Sequence, residues 1–210
     1  VIHMAAQSLV LESYQNPMDT YKTNLMGTVN IMNAMKDIPS IKAFINITSD
    51  KCYENKKNSK DFKEDDALGG FDPYSSSKAC SEIITGAYRN SFYKDTVAIA
   101  TARAGNVIGG GDWASNRIIP DYIKKNNQKQ KLTIRNPKSI RPWQFILEPL
   151  SGYLRLAEKL FLEGQGYAES WNFGPDNKDD QSVEWLIAKF DKEYGGGGNF
   201  EIKSNNNLPY

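Results

Sequence analysis

The stretch that decides the fold is residues 41–48, IKAFINIT, which is rich in β-branched and aromatic residues and runs into the polar residues 48–51, TSDK. This composition predicts a buried β-strand. Residues 1–4, VIHM, and residues 96–102, TVAIATA, are further short apolar runs. All of them have the length and character of strands in a buried parallel sheet.

Helical patterns separate these predicted strands. From Pro17 to Pro39, apolar residues recur at steps of three and four, and a second stripe of this kind runs from Pro73 to about residue 92. Proline is favoured in the first turn of a helix. The alternation of strand and helix predicts an α/β protein, in which right-handed crossovers join parallel strands and the helices cover the faces of the sheet.

The pattern becomes irregular beyond Asp112. Helical stretches are predicted at residues 118–125 and 147–161, and the tetraglycine at 195–198 is typical of a linker or of a turn in a smaller C-terminal lobe. Residues 55–70 are polar and rich in lysine, which predicts an exposed loop.

Charge and composition narrow the possible functions. Lys and Arg total 26 against 25 Asp and Glu, so no basic excess is available for nucleic acid. No apolar run is long enough for a membrane span, and two cysteines are too few for a disulfide framework or a Cys-based metal site. A soluble, cytoplasmic protein without a metal is expected. The single histidine, His3, lies in an apolar strand and is interpreted as a packed core residue.

Tyr74 and Lys78 form the clearest local signal for chemistry, within YSSSK at the start of a predicted helix. Residues four apart share one face of a helix, so the ammonium of the lysine can lower the pKa of the phenol from its usual value of about 10. Such a tyrosine can exchange a proton with a substrate hydroxyl. Taken alone, the pair also fits two solvated side chains on a helix surface.

Polar residues follow two of the predicted strands. Residues 48–51 follow the second strand, and residues 103–106, RAGN, and 109–112, GGGD, follow the third. Parallel sheets bind ligands at the carboxyl ends of their strands, and glycine permits close approach of the backbone to a ligand. With Tyr74 and Lys78, these ends predict one binding crevice; without that pair, a polar turn would explain residues 48–51.

Seven motifs, in their order and spacing, resemble the extended short-chain dehydrogenase/reductase family. They are HMAAQ at 3–7, NLMGTVN at 24–30, SDK at 49–51, YSSSK at 74–78, ARAGNVIGGGDW at 102–113, RIIPD at 117–121 and RPWQ at 141–144. The Asp50–Lys51 pair, with GGGDW and IRPWQ, is similar to the members that are 4,6-dehydratases of CDP-glucose. The resemblance implies a partial Rossmann-type doubly wound parallel sheet at residues 1–112, and a smaller C-terminal substrate-binding lobe at 113–210 with segments that return to the sheet.

The resemblance also implies catalytic roles. Tyr74 would remove the proton of the sugar 4-hydroxyl while hydride leaves C4 for NAD, and Lys78 would hold the nicotinamide ribose. Ser49 would hydrogen-bond the same sugar oxygen, Asp50 would protonate the departing 6-hydroxyl, and Lys51 would remove the C5 proton. For that last role the pKa of the lysine must lie well below about 10.4. Hydride then returns to C6, so NAD is not consumed.

Two further sets of residues match binding positions of the family. The cofactor-facing set is Ala5, Ala6, Gln7 and Asn24. The set that faces the nucleotide diphosphate of the substrate is Asn106, Arg117 and Arg141. The planar fork of arginine pairs well with phosphate oxygens, although a surface ion pair is the alternative reading of both arginines.

The sequence also departs from the family pattern. It contains no glycine-rich dinucleotide fingerprint and starts inside an apolar run without an initiator Met, which predicts a truncated chain with half a cofactor site and an unpaired sheet edge. Phe145 follows RPWQ where a polar His is expected. A 4-epimerase or a catalytically silent piece are the alternatives, and Asp50–Lys51 argues against an epimerase, which eliminates no water. A full-length homo-oligomer is expected from the resemblance.

Overall fold

The computed structural model describes residues 1–54, 61–195 and 197–203. Its α-helices are α1 (Val10–Gln15), α2 (Pro17–Tyr21), α3 (Gly27–Ala34), α4 (Pro73–Tyr88), α5 (Ile118–Asn127), α6 (Leu147–Glu163) and α7 (Val183–Tyr194). Its strands are β1 (Ile2–His3), β2 (Ala43–Ile47), β3 (Ala98–Ala104), β4 (Val107–Ile108), β5 (Leu132–Ile134), β6 (Ile140–Pro142), β7 (Gln144–Phe145), β8 (Ser170–Phe173), β9 (Asp180–Ser182) and β10 (Phe200–Ile202).

The chain divides into two compact units. The first unit comprises Val1–Gly105 and Leu147–Phe173, and the second comprises Asn106–Ile146 and the described residues of Gly174–Tyr210. The first segment of the first unit ends at Gly105, one residue after β3. Helix α6 and strand β8 return to the first unit.

The first unit is built on a four-stranded sheet in the order β1-β2-β3-β8, and all of its strands are parallel. In the central pair, Ala43 lies opposite Ala98 and Ile47 lies opposite Ala102. The predicted α/β class with a parallel sheet is confirmed. Strand β3 ends two residues later than the apolar run suggested, because the buried Arg103 continues the ladder with β8.

Helices cover both faces of this sheet. Alternate side chains of β2 and β3 point to opposite faces, and each set packs against a different helix. On one face, Phe44 and Ile99 pack with Met32 of α3. On the other face, Ile45 and Ala100 pack with an apolar stripe of α6 that consists of Tyr153, Leu156 and Leu160. Burial on two faces explains why these strands are apolar throughout and do not alternate with polar residues.

The predicted helix after Pro17 is one helical stretch with a local change of winding. Helix α2 continues into a π-helical turn at Lys22–Met26 and then into α3. The apolar period alone does not reveal that turn, and the short helix α1 before it was not predicted.

A seam of buried polar side chains joins α3 and α4 to β2. Thr28 Oγ1 and Ser81 Oγ are 2.9 Å apart, and Asn46 Nδ2 donates to Ser81 Oγ and to Thr85 Oγ1, each at 2.9 Å. These four side chains are at most 2% exposed, so each polar group finds its partner inside the protein.

The second unit has a small core of its own, in which Tyr122 of α5, Leu132 and Ile134 of β5 and Ile187 of α7 are buried. Asp191 of α7 accepts hydrogen bonds from Tyr122 Oη at 2.5 Å and from the backbone N–H of Gly198 and Asn199, each at 3.2 Å. The described part of the glycine run is therefore a turn bound to α7, as one of the two sequence readings has it.

The loop predicted at residues 55–70 is described only from residue 61. Residues 61 and 63–67 are exposed, and Leu68 forms a bridge with Tyr53. Residues 55–60 lie outside the described residues, as do Gly196 and residues 204–210. Within the described parts of the chain, none of the helices has both the length and the apolar character needed to cross a bilayer.

Gly152 provides a test of the packing between α6 and β8. A Cβ atom added there would lie 2.4 Å from Cε1 of Phe173, so the helix can lie this close only because residue 152 has no side chain. Although alanine is the better helix former, Gly152→Ala is expected to lower the free energy of unfolding by roughly 1–3 kcal/mol through overpacking.

Gly86→Ala is the matched control, because an added Cβ at Gly86 in α4 meets no atom within 4 Å. It is expected to raise the free energy of unfolding by roughly 0.5–1 kcal/mol. Urea denaturation of both variants measures the difference. Equal stabilisation by the two substitutions would contradict the close contact between Gly152 and Phe173.

Candidate active site

The first unit places two polar segments at the carboxyl end of β2. Directly after this strand, Asp50–Cys52 forms a 3₁₀ turn that Ser49 caps, because Ser49 Oγ accepts a hydrogen bond from the Lys51 backbone N–H at 3.2 Å. The same hydroxyl donates to Asp50 Oδ1 at 2.9 Å. Ser49 is buried, Asp50 is partly exposed and Lys51 is exposed. A hydroxyl and a carboxyl group are therefore held side by side.

Helix α4 begins beside this turn, and its first turn is strongly fixed. Asp72 is buried and caps the helix by accepting from the Ser75 backbone N–H at 2.9 Å and from Ser75 Oγ at 2.5 Å. The Tyr74 backbone N–H donates to Ser13 Oγ of α1 at 3.1 Å. Tyr74 itself is 8% exposed, so the phenol sits at a well-anchored helix start.

Lys78 follows Tyr74 by one helical turn and is almost fully buried. Its Nζ donates to the backbone carbonyl of Ile47, the last residue of β2, at 3.1 Å. Burial disfavours the charged ammonium and lowers the pKa of Lys78 to about 8, although the nearby Glu82 carboxylate opposes that shift. The contact with Ile47 brings the helix face of the Tyr74–Lys78 pair to the strand end that precedes Ser49.

An ion pair between Glu82 of α4 and Arg103 of β3 lies fully buried beneath this edge. Arg103 Nη2 is 2.8 Å from Glu82 Oε2. The carboxylate also accepts hydrogen bonds from the hydroxyls of Thr48, at the end of β2, and of Thr101, and from Ser170 of β8. One carboxylate therefore connects α4 to three strands of the sheet.

Asp50 packs directly on Gly105, the residue that follows β3. A Cβ atom added at Gly105 would lie 2.1 Å from Asp50 Oδ2 and 2.3 Å from its Cγ. These distances are far below any van der Waals contact, so the carboxyl group occupies the space that a side chain at position 105 would need.

The predicted cofactor residues near the amino terminus form a separate brace. Asn24 is buried, and its Oδ1 accepts from the Gln7 backbone N–H at 2.8 Å while its Nδ2 donates to the Gln7 carbonyl at 3.0 Å and to Ser77 Oγ at 2.9 Å. Asn24 thus ties the segment after β1 to α4. Ala5 is exposed, and Ala6 and Gln7 are partly exposed.

The three residues predicted to face a nucleotide diphosphate all belong to the second unit. Asn106 has a positive φ of 51°, and its carbonyl accepts from the Gln144 backbone N–H at 3.3 Å. Arg117 forms a half-exposed ion pair with Asp112 at 2.9 Å. Arg141 is exposed, and its Nη1 donates to the carbonyl of the preceding residue at 3.0 Å.

His3 is only partly buried, and its ring stacks on Phe44 with the centroids 6.4 Å apart. Burial and the nearby Lys78 cation both lower the pKa of His3, which favours its neutral form. This agrees with a packing role. In the described part of the chain, no group of His, Cys, Asp and Glu side chains is arranged to hold a metal ion.

Comparison with known proteins places the chain in a family. The family model described as GDP-mannose 4,6 dehydratase matches residues 1–162. The chain belongs to this family. The family resemblance drawn from the seven sequence motifs is thereby confirmed.

Relatives of this GDP-mannose 4,6 dehydratase family member include sugar-nucleotide dehydratases. It is 47% identical to a CDP-glucose 4,6-dehydratase of Salmonella typhimurium over 212 residues, which cover 98% of this chain and 59% of that protein. A dTDP-glucose 4,6-dehydratase of Xanthomonas campestris is 24% identical over 90% of this chain and 53% of its own length. The chain thus spans less than two thirds of either relative.

Solved structures agree on the fold of this family member. A dTDP-glucose 4,6-dehydratase from Bacillus anthracis in complex with NAD has a TM-score of 0.76 and 21% identity, covering 97% of this chain and 60% of that one. A UDP-glucuronic acid 4-epimerase from Bacillus cereus has a TM-score of 0.82 and 22% identity, covering 97% and 62%. Because a dehydratase and an epimerase share the fold, the fold does not decide the reaction.

Sequence reasoning missed the network around Glu82. In helix α4, Glu82 follows Lys78 by one turn and lies on the buried side of the helix, together with Ser81 and Thr85. A charged residue on the buried side of a helix requires a partner, and that was the available signal. Arg103 was noted only as part of a polar strand end.

The lowered pKa of Lys78 leads to a pH-dependent stability. The unfolded lysine has a pKa of 10.5 and the folded one about 8. Between these values the folded state binds fewer protons, so its free energy of unfolding is expected to rise with pH, by an amount on the order of 3 kcal/mol. This gain is present above a pH of about 10.5 and is lost as the pH falls toward about 8.

The matched variant is Lys78→Met, which keeps the length of the apolar stem and cannot titrate. Urea denaturation of both proteins at pH 7, 8, 9 and 10 is the measurement. The free energy of unfolding of the variant, relative to that of the parent, should be highest at pH 7, and this difference should decrease toward pH 10. A difference that is independent of pH would show that Lys78 titrates near its usual pKa.

Proposed function

We propose that the protein is a nucleotide-sugar 4,6-dehydratase that converts CDP-glucose into CDP-4-keto-6-deoxyglucose, with bound NAD as an internal hydride carrier. The observation that carries this proposal is the Asp50 carboxyl group, held beside Ser49 at the end of β2, next to the helix of Tyr74 and Lys78. The 47% identity to a CDP-glucose 4,6-dehydratase supports the same substrate.

The residues at this strand edge fit a dinucleotide cofactor. The Lys78 ammonium has three N–H donors, and its hydrogen bond to the carbonyl of Ile47 uses one of them. The remaining donors suit the vicinal hydroxyls of a ribose. When bound, NAD would accept hydride from C4 of the sugar and return it to C6. Gln7, fixed by Asn24, lies on the segment that follows β1 and would line the same cofactor.

Proton transfer at the sugar 4-hydroxyl is assigned to Tyr74. The phenol is buried at the start of α4, and Lys78 follows it by one turn on the same helix face. In the proposed mechanism, Tyr74 would take the hydroxyl proton and Lys78 would supply the nearby positive charge. Ser49 would donate or accept a hydrogen bond at the same sugar oxygen.

Elimination of water needs an acid and a base on the 5- and 6-positions. Asp50 in its protonated form would deliver a proton to the departing 6-hydroxyl, and Lys51 in its neutral form would take the proton from C5. Loss of the C5 proton and of the hydroxyl leaves a 5,6-double bond and one water molecule, with no net change in oxidation state. An epimerase would not use this pair.

The diphosphate of the substrate is assigned to the second unit. Arg117 and Arg141 carry planar guanidinium groups that can pair bidentately with phosphate oxygens. The exposed ion pair of Arg117 with Asp112 contributes little stability, so phosphate can replace the carboxylate at a small cost. Asn106, at a positive φ, would add an amide donor.

The test is a chimaera in which this chain replaces the segment that it matches in the Salmonella typhimurium relative, 59% of that protein. With CDP-glucose and NAD, the chimaera should form the 4-keto-6-deoxy product, which is detected by its absorbance in alkali. Tyr74→Phe should lower the rate by about 100-fold or more, because it removes the acid–base hydroxyl.

The 210-residue chain alone is assayed in parallel. Formation of a 4-epimer without the keto product would identify an epimerase. A folded chimaera that binds CDP-glucose and NAD but forms neither product would overturn the proposed function. Binding is measured by isothermal titration, so that misfolding is not mistaken for lack of activity.

Lys51→Met separates the two halves of the proposed reaction. The variant should still oxidise C4, which is measured as a rise in the absorbance of reduced nicotinamide. The rate of dehydration should fall by about 100-fold, because no base takes the C5 proton. Substituting an exposed side chain should leave the fold unchanged. Unchanged dehydration would show that another group is the base.

A further inference from the structure

Gly105 has a backbone that any residue could adopt. It has no positive φ, unlike Gly111 at 81° or Gly164 at 67°. Conformational freedom of the chain therefore does not require glycine at this position. What does require it is the Asp50 side chain, of which both carboxyl oxygens and Cγ would lie within 2.8 Å of an added Cβ.

The register of the sheet explains why these two residues meet. Ile47 of β2 lies opposite Ala102 of β3, and the Thr48 backbone N–H donates to the Ala102 carbonyl at 2.9 Å. Continuing this parallel register by three positions beyond the ladder places Asp50 opposite Gly105. The two strands are each other's neighbours in the centre of the sheet, so this juxtaposition is built into the fold.

The carboxyl group is thereby confined from two sides. Ser49 Oγ donates to Oδ1 at 2.9 Å, and Oδ2 and Cγ occupy the space that a Cβ atom at position 105 would fill. An acid that protonates a leaving group must be held close to its productive geometry, and its rotamer is set by the groups packed around it.

We propose that Gly105 is a positioning residue for the general acid. The absence of a side chain at the end of β3 allows the Asp50 carboxyl group to lie over the backbone in the orientation that delivers a proton to the leaving 6-hydroxyl. This inference rests on the proposed dehydratase function. Beyond that function, it states that dehydration requires the absence of a side chain at position 105.

The experiment is a double-mutant cycle in the active chimaera, with Gly105→Ala and Asp50→Asn alone and together. Gly105→Ala should lower dehydration by about 100-fold while C4 oxidation, followed by the absorbance of reduced nicotinamide, keeps its rate. In the Asp50→Asn background, adding Gly105→Ala should change dehydration by less than about twofold, because residues that act through one group are not additive. Gly86→Ala is the control and should retain the parent rate.

Each outcome decides the inference. Equal losses from Gly105→Ala in both backgrounds, or a matching loss of C4 oxidation, would show a general structural role and overturn it, as would full dehydration by Gly105→Ala. If Gly105→Ala is insoluble, Asp50→Ala/Gly105→Ala is prepared, in which the carboxyl group is gone. A soluble double variant supports the contact, and an insoluble one overturns it. An inactive parent chimaera, by contrast, would count against the proposed function and not against this contact.

Discussion

The buried ion pair between Glu82 and Arg103 is the interaction on which the arrangement of the first unit depends. Removing two charges from water is costly, and a buried pair offsets this cost through close contact and additional hydrogen bonds; among the described residues, only Nε of Arg103 in this pair has no hydrogen-bond partner. Here the carboxylate binds the guanidinium and hydroxyls from β2, β3 and β8, while Arg103 Nη1 donates to Tyr53 Oη at 2.7 Å. Because breaking one contact would leave a buried charge, α4 is held to the sheet at one defined position.

The fixed position of α4 also determines where its side chains meet the ends of the strands. Lys78 reaches the Ile47 carbonyl one turn before Glu82, and Tyr74 lies one turn earlier again. Tyr74, Lys78 and Glu82 follow one another at four-residue steps on one helix face. The position of the helix therefore sets where each of these three groups lies along the edge of the sheet. Near that edge, the 3₁₀ turn after β2 and the bare backbone after β3 hold a carboxyl group.

The sequence alone predicts the central strands and the start of helix α4. Strands that are buried on both faces are apolar throughout, so β2 and β3 stand out, and the Tyr74–Lys78 pair marks the helix start. The contact of Gly105 with Asp50 depends on a distance between residues far apart in the chain, and the π-helical turn at Lys22–Met26 is too short to change the apolar period, so no local pattern encodes either. The small strands of the second unit were missed because runs of two or three residues show no period.

The polar seam of Thr28, Ser81, Asn46 and Thr85 has a consequence for how such a protein can change over time. An apolar interface tolerates gradual drift, since one methyl group can replace another with a small shift. A seam of directional hydrogen bonds does not tolerate single substitutions in this way. Replacing one member leaves the buried polar groups of its neighbours without a hydrogen-bond partner. Homologous chains should therefore vary at these four positions together, as a set, and the seam should leave a mark of covariation across α3, α4 and β2.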